Sequence, residues 1–297
     1  MSPLPSTNGQ GSPRLQSAAE LMARVRSIRL RTRRLVSSAL AGGYKSSFRG
    51  SGIEFEEVRA YQFGDDVRAI DWKVTARKDE PHIKTYREDR LLTLHFVVDT
   101  GPTMDFGTRR VTKRELAAEF CALLSFVALS NRDQVGLTLF GAETGLHLQP
   151  GRSGVHVNRL IREVIAAPPT AGRSDLEGQL LERQRGHGRH TLVFLLTDFH
   201  GWLEPGGEAR REALRKRLLS LASMHDVVAV PISDPFEHSL PDAGLFELHD
   251  PATGGVQVVD SSSRRVRQAW SEAAEERHQN LDRLLKRARV GVIPLST

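Results

Sequence analysis

Four short, almost unbroken apolar runs constrain the fold of this chain more than any other feature: Leu91–Val98, Gln134–Phe140, Thr191–Thr197 and Asp226–Ile232. A strand with one solvated face alternates apolar and polar residues, whereas a near-continuous apolar run belongs to a strand buried on both faces. Helical patterns separate the runs. Thr112-Lys113-Arg114-Glu115 forms a capping box that opens a helix carrying Leu116, Phe120, Leu123, Leu124 and Val127. Residues 154–166 repeat Val157, Leu160, Ile161 and Val164 at helical spacing, Ser174-Asp175-Leu176-Glu177 forms a second capping box before a third helix, and another helix covers about 207–223. Strands alternating with helices predict an α/β fold, a mostly parallel sheet with helices on both faces. Beyond it, Phe246–Leu248 and Val256–Val259 flank a turn and predict a hairpin; a helix over about 263–289 and a short strand, Val290–Leu295, follow.

Composition excludes several function classes. The 297 residues are 39% apolar and 26% charged, the balance of a globular protein. The single cysteine, Cys121, excludes an internal disulfide and a thiolate zinc site, fits a reducing compartment and leads to the expectation of a cytoplasmic protein; beside Phe120 it reads as core. No apolar run is long enough to span a bilayer. Residues 1–16 read as a disordered tail and residues 17–40 as a helix with Leu21, Val25, Ile28 and Leu35. Six arginines between Arg24 and Arg34 contribute to the net charge of +6, but no aromatic stacking platform accompanies them, which argues against nucleic acid. There is no phosphate-loop, H-E-x-x-H or G-x-S-x-G pattern. His187 and His190 read as a solvated turn, and His95 as a packing residue within a strand.

The run Gly52–Asp89 interleaves acids, bases and aromatics too densely for a core strand or a tail. One reading is a paired-charge scaffold in which Arg59, Arg68 and Arg77 meet acids among Glu57, Asp65, Asp66 and Asp71, with Trp72 as a buried anchor. The alternative is a metal-dependent nuclease, in which Asp65 or Asp66 and Asp71-Trp72-Lys73 supply two carboxylates and a lysine to orient water.

Two apolar runs end in aspartate, Asp99 and Asp198, and open parallel sheets place ligands beyond the carboxyl ends of their strands. With Thr103 and Ser174 these carboxylates form an oxygen set suited to Mg2+; the competing reading makes Asp99 a loop cap and Ser174 a helix cap. The order strand-Asp-x-x-x-Thr, helix, hydroxyl loop, strand-Thr-Asp resembles a von Willebrand factor A domain, whose first loop reads Asp-x-Ser-x-Ser at its metal-ion-dependent adhesion site. Asp99 and Thr103 match the first and last of those positions, Gly101 stands at the middle serine, Ser174 matches the threonine of the second loop in chemistry, and Asp198 matches the aspartate of the third.

Glu54-Phe55, Val58-Arg59-x-Tyr61, Gly64-Asp65-Asp66-Val67-Arg68-x-Ile70-Asp71-Trp72 and Lys84-x-Tyr86-x-Glu88, with the later Ser233-Asp234-Pro235, resemble the bacterial domain-of-unknown-function 58 family. That resemblance implies a von Willebrand A-like domain over residues 91–297, preceded by a family-specific extension over 17–90, and no defined reaction. It further implies partnership with an AAA+ ATPase of the MoxR class, the chain serving as a non-enzymatic adaptor in protein assembly or maturation.

Overall fold

The computed structural model describes residues 54–297 except 63–64, 68–69, 79, 88–91, 143–144, 169–171, 173, 186–190, 205 and 250–253, together with Ala23 and Arg26, both helical. The expected tail, the remainder of the expected N-terminal helix, Arg68, the Glu57 side chain and both His187 and His190 lie outside the described residues.

Two strands, β1 (Glu54–Ala60) and β2 (His82–Arg87), pair antiparallel as a sheet of their own, with a short helix α1 (Trp72–Lys78) between them. The large sheet begins at β3 (Thr93–Asp99). A 3-10 turn (Pro102–Asp105) leads towards α2 (Lys113–Ser130), and β4 (Gln134–Phe140), β5 (His147–Gly151), α3 (Gly154–Ala166) and α4 (Leu176–Arg185) follow. Next come β6 (Leu192–Thr197), α5 (His200–Leu203), α6 (Glu208–Ala222), β7 (Asp226–Ser233) and α7 (Pro235–His238). The chain closes with a hairpin, β8 (Leu245–His249) and β9 (Val256–Asp260), then α8 (Arg264–Arg287), β10 (Gly291–Val292) and β11 (Leu295–Ser296). The expected last strand is thus two short ones, because Pro294 has no N–H to give a ladder; both pair with β7.

The seven-stranded sheet runs β10-β7-β6-β3-β4-β5, with β11 beside β7, and only β5 is antiparallel to its neighbour. From β3 the chain builds outward through β4 and β5, then crosses back to lay β6 on the other side of β3. The strand order therefore reverses between β3 and β6, where doubly wound sheets open a crevice at their carboxyl edge. This is the von Willebrand factor A-like arrangement the resemblance implied.

Period-two alternation divides the strands between two cores. Leu94, Phe96 and Val98 of β3 face α2 and α3 through Ala117, Cys121, Leu160 and Ile161. Val97, with Val193 and Leu195 of β6, packs in the other core among Leu214 and Leu218 of α6 and Leu284 and Leu285 of α8. Helices on both faces explain why the strands carry almost no polar residues. Thr112 caps α2 with both capping-box bonds in place.

Candidate strand-end functional site

The crossover brings the ends of β3 and β6 side by side, and with them Asp99 and Asp198. Asp99 is 2% exposed. Its Oδ1 accepts hydrogen bonds from the Gly101 amide and the Ser174 hydroxyl, both at 2.7 Å, and its Oδ2 accepts one from the Thr197 hydroxyl at 2.7 Å. Thr197 Oγ1 in turn accepts from the Phe199 amide at 3.2 Å. Phe199 has φ 59°, the left-handed region that a bulky residue occupies only when its surroundings enforce it. Its buried ring meets Trp202 edge-on and holds the turn, which directs the His200 amide onto Asp198 Oδ1 at 3.1 Å. Thr103 stands close enough to Asp198 to help hold its carboxyl low. All four residues of the expected oxygen set therefore converge, through the pairs Ser174–Asp99 and Thr103–Asp198.

Ser174 does not cap α4. Asp175 does, its Oδ1 accepting the Gly178 amide at 3.0 Å, while Ser174 turns to Asp99. Glu177, the expected far end of that capping box, accepts from Trp202 Nε1 at 2.8 Å instead. The motif places the cap one residue too early because serine and aspartate both cap well and stand side by side.

A cation fills the space beside Asp198. Lys113, in the first turn of α2, is fully buried, with Nζ 2.8 Å from Asp198 Oδ2 and 2.6 Å from Glu237 Oε1. Glu237 is placed by local chemistry. Asp234 caps α7 through the Phe236 amide at 2.9 Å, and its own amide donates to Glu237 Oε2 at 2.8 Å. The capping box occupies one carboxylate oxygen and leaves Oε1 to face Lys113 and His200 Nε2, the latter at 3.1 Å. The box is anchored in turn: the Thr108 amide and hydroxyl donate to Asp234 at 2.7 and 2.6 Å, and the Thr297 hydroxyl at 2.5 Å. Next to Lys113, the buried Arg114 ties the β3–α2 loop down by bonds to Asp105 and to the Thr100 and Ala167 carbonyls. The rim of the cluster carries Phe106, 41% exposed, and the half-buried His200.

These neighbours separate the two strand-end acids electrostatically. Burial first, and then the charge of Asp198, pushes the Asp99 carboxyl up to about 6 against its three hydrogen bonds. Burial would raise Asp198 as well, but the Lys113 ammonium and then His200 hold it well below the usual carboxylate range. Burial opposes the charge on Lys113, yet Asp198 and Glu237 keep it above its ordinary value. Burial would likewise raise Glu237, which bonds from His200 and Lys113 lower; His200, against its own burial, is raised chiefly by Asp198 and Glu237.

Asp198, His200 and Glu237 bring three ligand atoms within 4.8 Å of one another, a spacing that could hold a metal ion. Lys113 Nζ stands within hydrogen-bonding distance of two of the three, so a divalent ion and the ammonium compete for one place. At Gly101, where the adhesion loop has its middle serine, a Cβ would lie 2.6 Å from Ser174 Oγ and 3.0 Å from Asp99 Oδ1. A serine there would force the Ser174 hydroxyl off Asp99. As arranged, the donors do not fit the adhesion-type Mg2+ site. The sequence singled out none of Lys113, Thr197, His200, Asp234 and Glu237 as site residues, though Lys113 stands in a capping box and Ser233-Asp234-Pro235 lies beside Glu237.

The charged run places its residues differently. Arg59 binds both oxygens of Asp65 at 2.8 Å, and this bond holds the Asp65 carboxyl below its ordinary value. Asp71 Oδ1 accepts the Lys73 amide at 3.0 Å and starts α1. Asp66, Lys73 and Arg77 are exposed, and Arg77 has no ion pair with a described acid. Two of the acids are thus committed to an arginine and a helix cap, which gives the nuclease reading no support. The expected burial of Trp72 does not hold: it is 71% exposed. Trp72 and Lys73, at the start of α1, are exposed, while Val74 and Thr75 are half-buried, the Thr75 hydroxyl accepting the His82 amide at 3.1 Å where α1 meets β2.

No helix among the described residues is long and apolar enough to cross a membrane. The uncharacterized protein Rv1480 of Mycobacterium tuberculosis is 29% identical over 284 residues, covering 94% of this chain and 85% of that protein, and Mb1516 of Mycobacterium bovis matches to the same extent. Among solved structures, the conserved hypothetical protein BatB from Bacteroides thetaiotaomicron overlaps at TM-score 0.37 and 15% identity, over 69% of this chain and 90% of that one. The SpRpn10 VWA domain overlaps at TM-score 0.33 and 12% identity, over 69% and 88%. The fold assignment rests on strand order and register, independently of these overlaps. The family model of the protein of unknown function DUF58 matches residues 57–280, and the chain belongs to that family.

Proposed function

We propose that this protein is a non-enzymatic interaction module, an adaptor working with a MoxR-class AAA+ ATPase in protein assembly or maturation. The observation that carries this reading is the convergence of Asp99, Thr103, Ser174 and Asp198 at the reversal of strand order, beneath a rim bearing an exposed aromatic, Phe106. Ligands gather at that point of a doubly wound sheet, and exposed aromatics favour protein contacts. The cluster's chemistry supports recognition over reaction. Two carboxylates hold Lys113 protonated, which leaves no free amine for nucleophilic attack. Asp99 spends its oxygens on protein donors. The choice of ATPase rests on family resemblance, and recognition in this form does not require Mg2+.

Calorimetric titration of a MoxR-class ATPase into the full chain tests the proposal. Saturable binding is expected, and Phe106→Ala should weaken it while leaving the free protein folded. No heat with any such ATPase would refute the partnership; full-strength binding by Phe106→Ala would place the contact elsewhere.

A further inference from the structure

We propose that the Lys113 ammonium is the resident cation of the strand-end site: it stands 2.8 Å from Asp198 and 2.6 Å from Glu237, and the site assembles around it with no divalent metal.

Three independent observations support this assignment. The first is position. The ammonium reaches one oxygen of each carboxylate, while the other oxygens are committed, Asp198 Oδ1 to the His200 amide and Glu237 Oε2 to the Asp234 amide. Those bonds fix both carboxylates in the orientation that faces Nζ, so the cradle is built for a cation at that point. The Phe106 ring lies on a further side, its centroid 6.0 Å from Nζ, near the limit for attraction between a cation and an aromatic face.

The second is enclosure. Lys113 has no exposed side-chain surface, and lysine is almost never fully buried unless paired. Its stem rises from the first turn of α2, where the helix dipole disfavours positive charge. A cation placed against the dipole and out of water needs strong compensation, which the two carboxylates supply. The third is the closed loop at Gly101. Mg2+ demands near-octahedral oxygen ligands and retains several waters, whereas a side chain at residue 101 would collide with Ser174 Oγ at 2.6 Å. Gly101 therefore leaves no place for a further side-chain ligand while Ser174 keeps its bond to Asp99. The inference concerns this chain alone and holds whatever its partner is.

The decisive experiment compares thermal melts and calorimetry of the full-length wild type and of Lys113→Ala, each stripped with EDTA and then given Mg2+, Mn2+ or Co2+. The wild type should melt at the same temperature with EDTA and with each ion, and should show no saturable heat. Lys113→Ala should melt lower, and Mn2+ or Co2+ should restore its midpoint in a saturable way, because Asp198, His200 and Glu237 are left as a vacated three-ligand set. Saturable Mg2+ or Mn2+ binding by the wild type that Asp198→Ala abolishes would overturn the proposal. So would a folded Lys113→Ala whose midpoint equals that of the wild type. If Lys113→Ala fails to fold, the wild-type titration decides alone.

Discussion

Replacing Lys113 by methionine keeps the length and apolar volume of the stem and deletes only the charge, which isolates the ammonium. Asp198 and Glu237 then face each other across a buried space without it, their side chains 3% and 17% exposed. Removing one partner from a buried ion pair costs about 3–5 kcal/mol, because the remaining charge stays desolvated. His200 is half-buried and already bonded to Glu237, so it can supply part of the missing charge and hold the cost towards the lower end. At about 2–4 °C per kcal/mol for a domain of this size, the melting point should fall by roughly 6–20 °C. The pH dependence is more diagnostic. In the wild type both carboxyls lie below their ordinary values, so their stabilisation is present above about pH 4 and lost as pH falls through the folded values. In Lys113→Met burial meets weaker compensation and raises both carboxyls relative to the wild type, so the destabilisation should be greatest near neutrality and shrink on acidification. Urea titrations at about pH 7.5 and pH 5 read both curves, at constant slope with denaturant. A deficit below about 1 kcal/mol at neutral pH, or one unchanged between the two conditions, would refute the reasoning.

Carboxyl NMR should find Asp99 titrating near 6; because its folded value is raised, its contribution is most favourable below about pH 4 and declines by about 3 kcal/mol as pH rises through 6. A midpoint near 4 would contradict the burial argument. Gly101→Ser should lower stability by about 1–3 kcal/mol through collision with Ser174, without creating Mg2+ binding; an unchanged urea midpoint would show that the loop has room. Trp72→Ala should change stability by no more than about 0.5 kcal/mol, since the ring is largely solvated, and a larger loss would mean that it is covered in solution.

The sheet was legible because burial on both faces leaves a distinctive sequence trace. Gln134–Phe140 and Gly154–Ala166 occupy the expected residues, and Asp99 and Asp198 stand at the predicted strand ends. The site was half legible. Asp99, Thr103, Ser174 and Asp198 come from loops whose positions follow from strand order, which a sequence pattern can supply. Lys113 and Glu237 come together from α2 and α7, 124 residues apart, and no local pattern records that meeting. Local reasoning also mistook Ser174 for a helix cap, since nothing near it in sequence reveals a carboxylate 75 residues away competing for its hydroxyl. Trp72 failed for a different reason: an aromatic among charges suggests an anchor, but which side of a short helix faces the sheet depends on the phase of that helix against β2.

Lys113 and Arg114 share one anomaly, and it marks the candidate site more sharply than the charged run does. Both are cations in the first turn of α2, where the exposed amides already carry positive potential. Lysine and arginine are ordinarily exposed, yet these side chains are 0% and 5% exposed. Each violation is compensated from elsewhere in the fold: Asp198 and Glu237 hold Lys113, while Asp105 and two carbonyls hold Arg114. Arg114 ties down the loop after β3 through Asp105 and the Thr100 carbonyl, Lys113 joins the end of β6 to α7, and the buried Asp99 stands beside Asp198. Local preference that loses to tertiary chemistry marks strained or functional sites. Here it loses at two adjacent residues, both of which close on the reversal of strand order. The density of charge in Gly52–Asp89 identifies the family; the two misplaced cations of α2 identify the place where the fold invests its electrostatics.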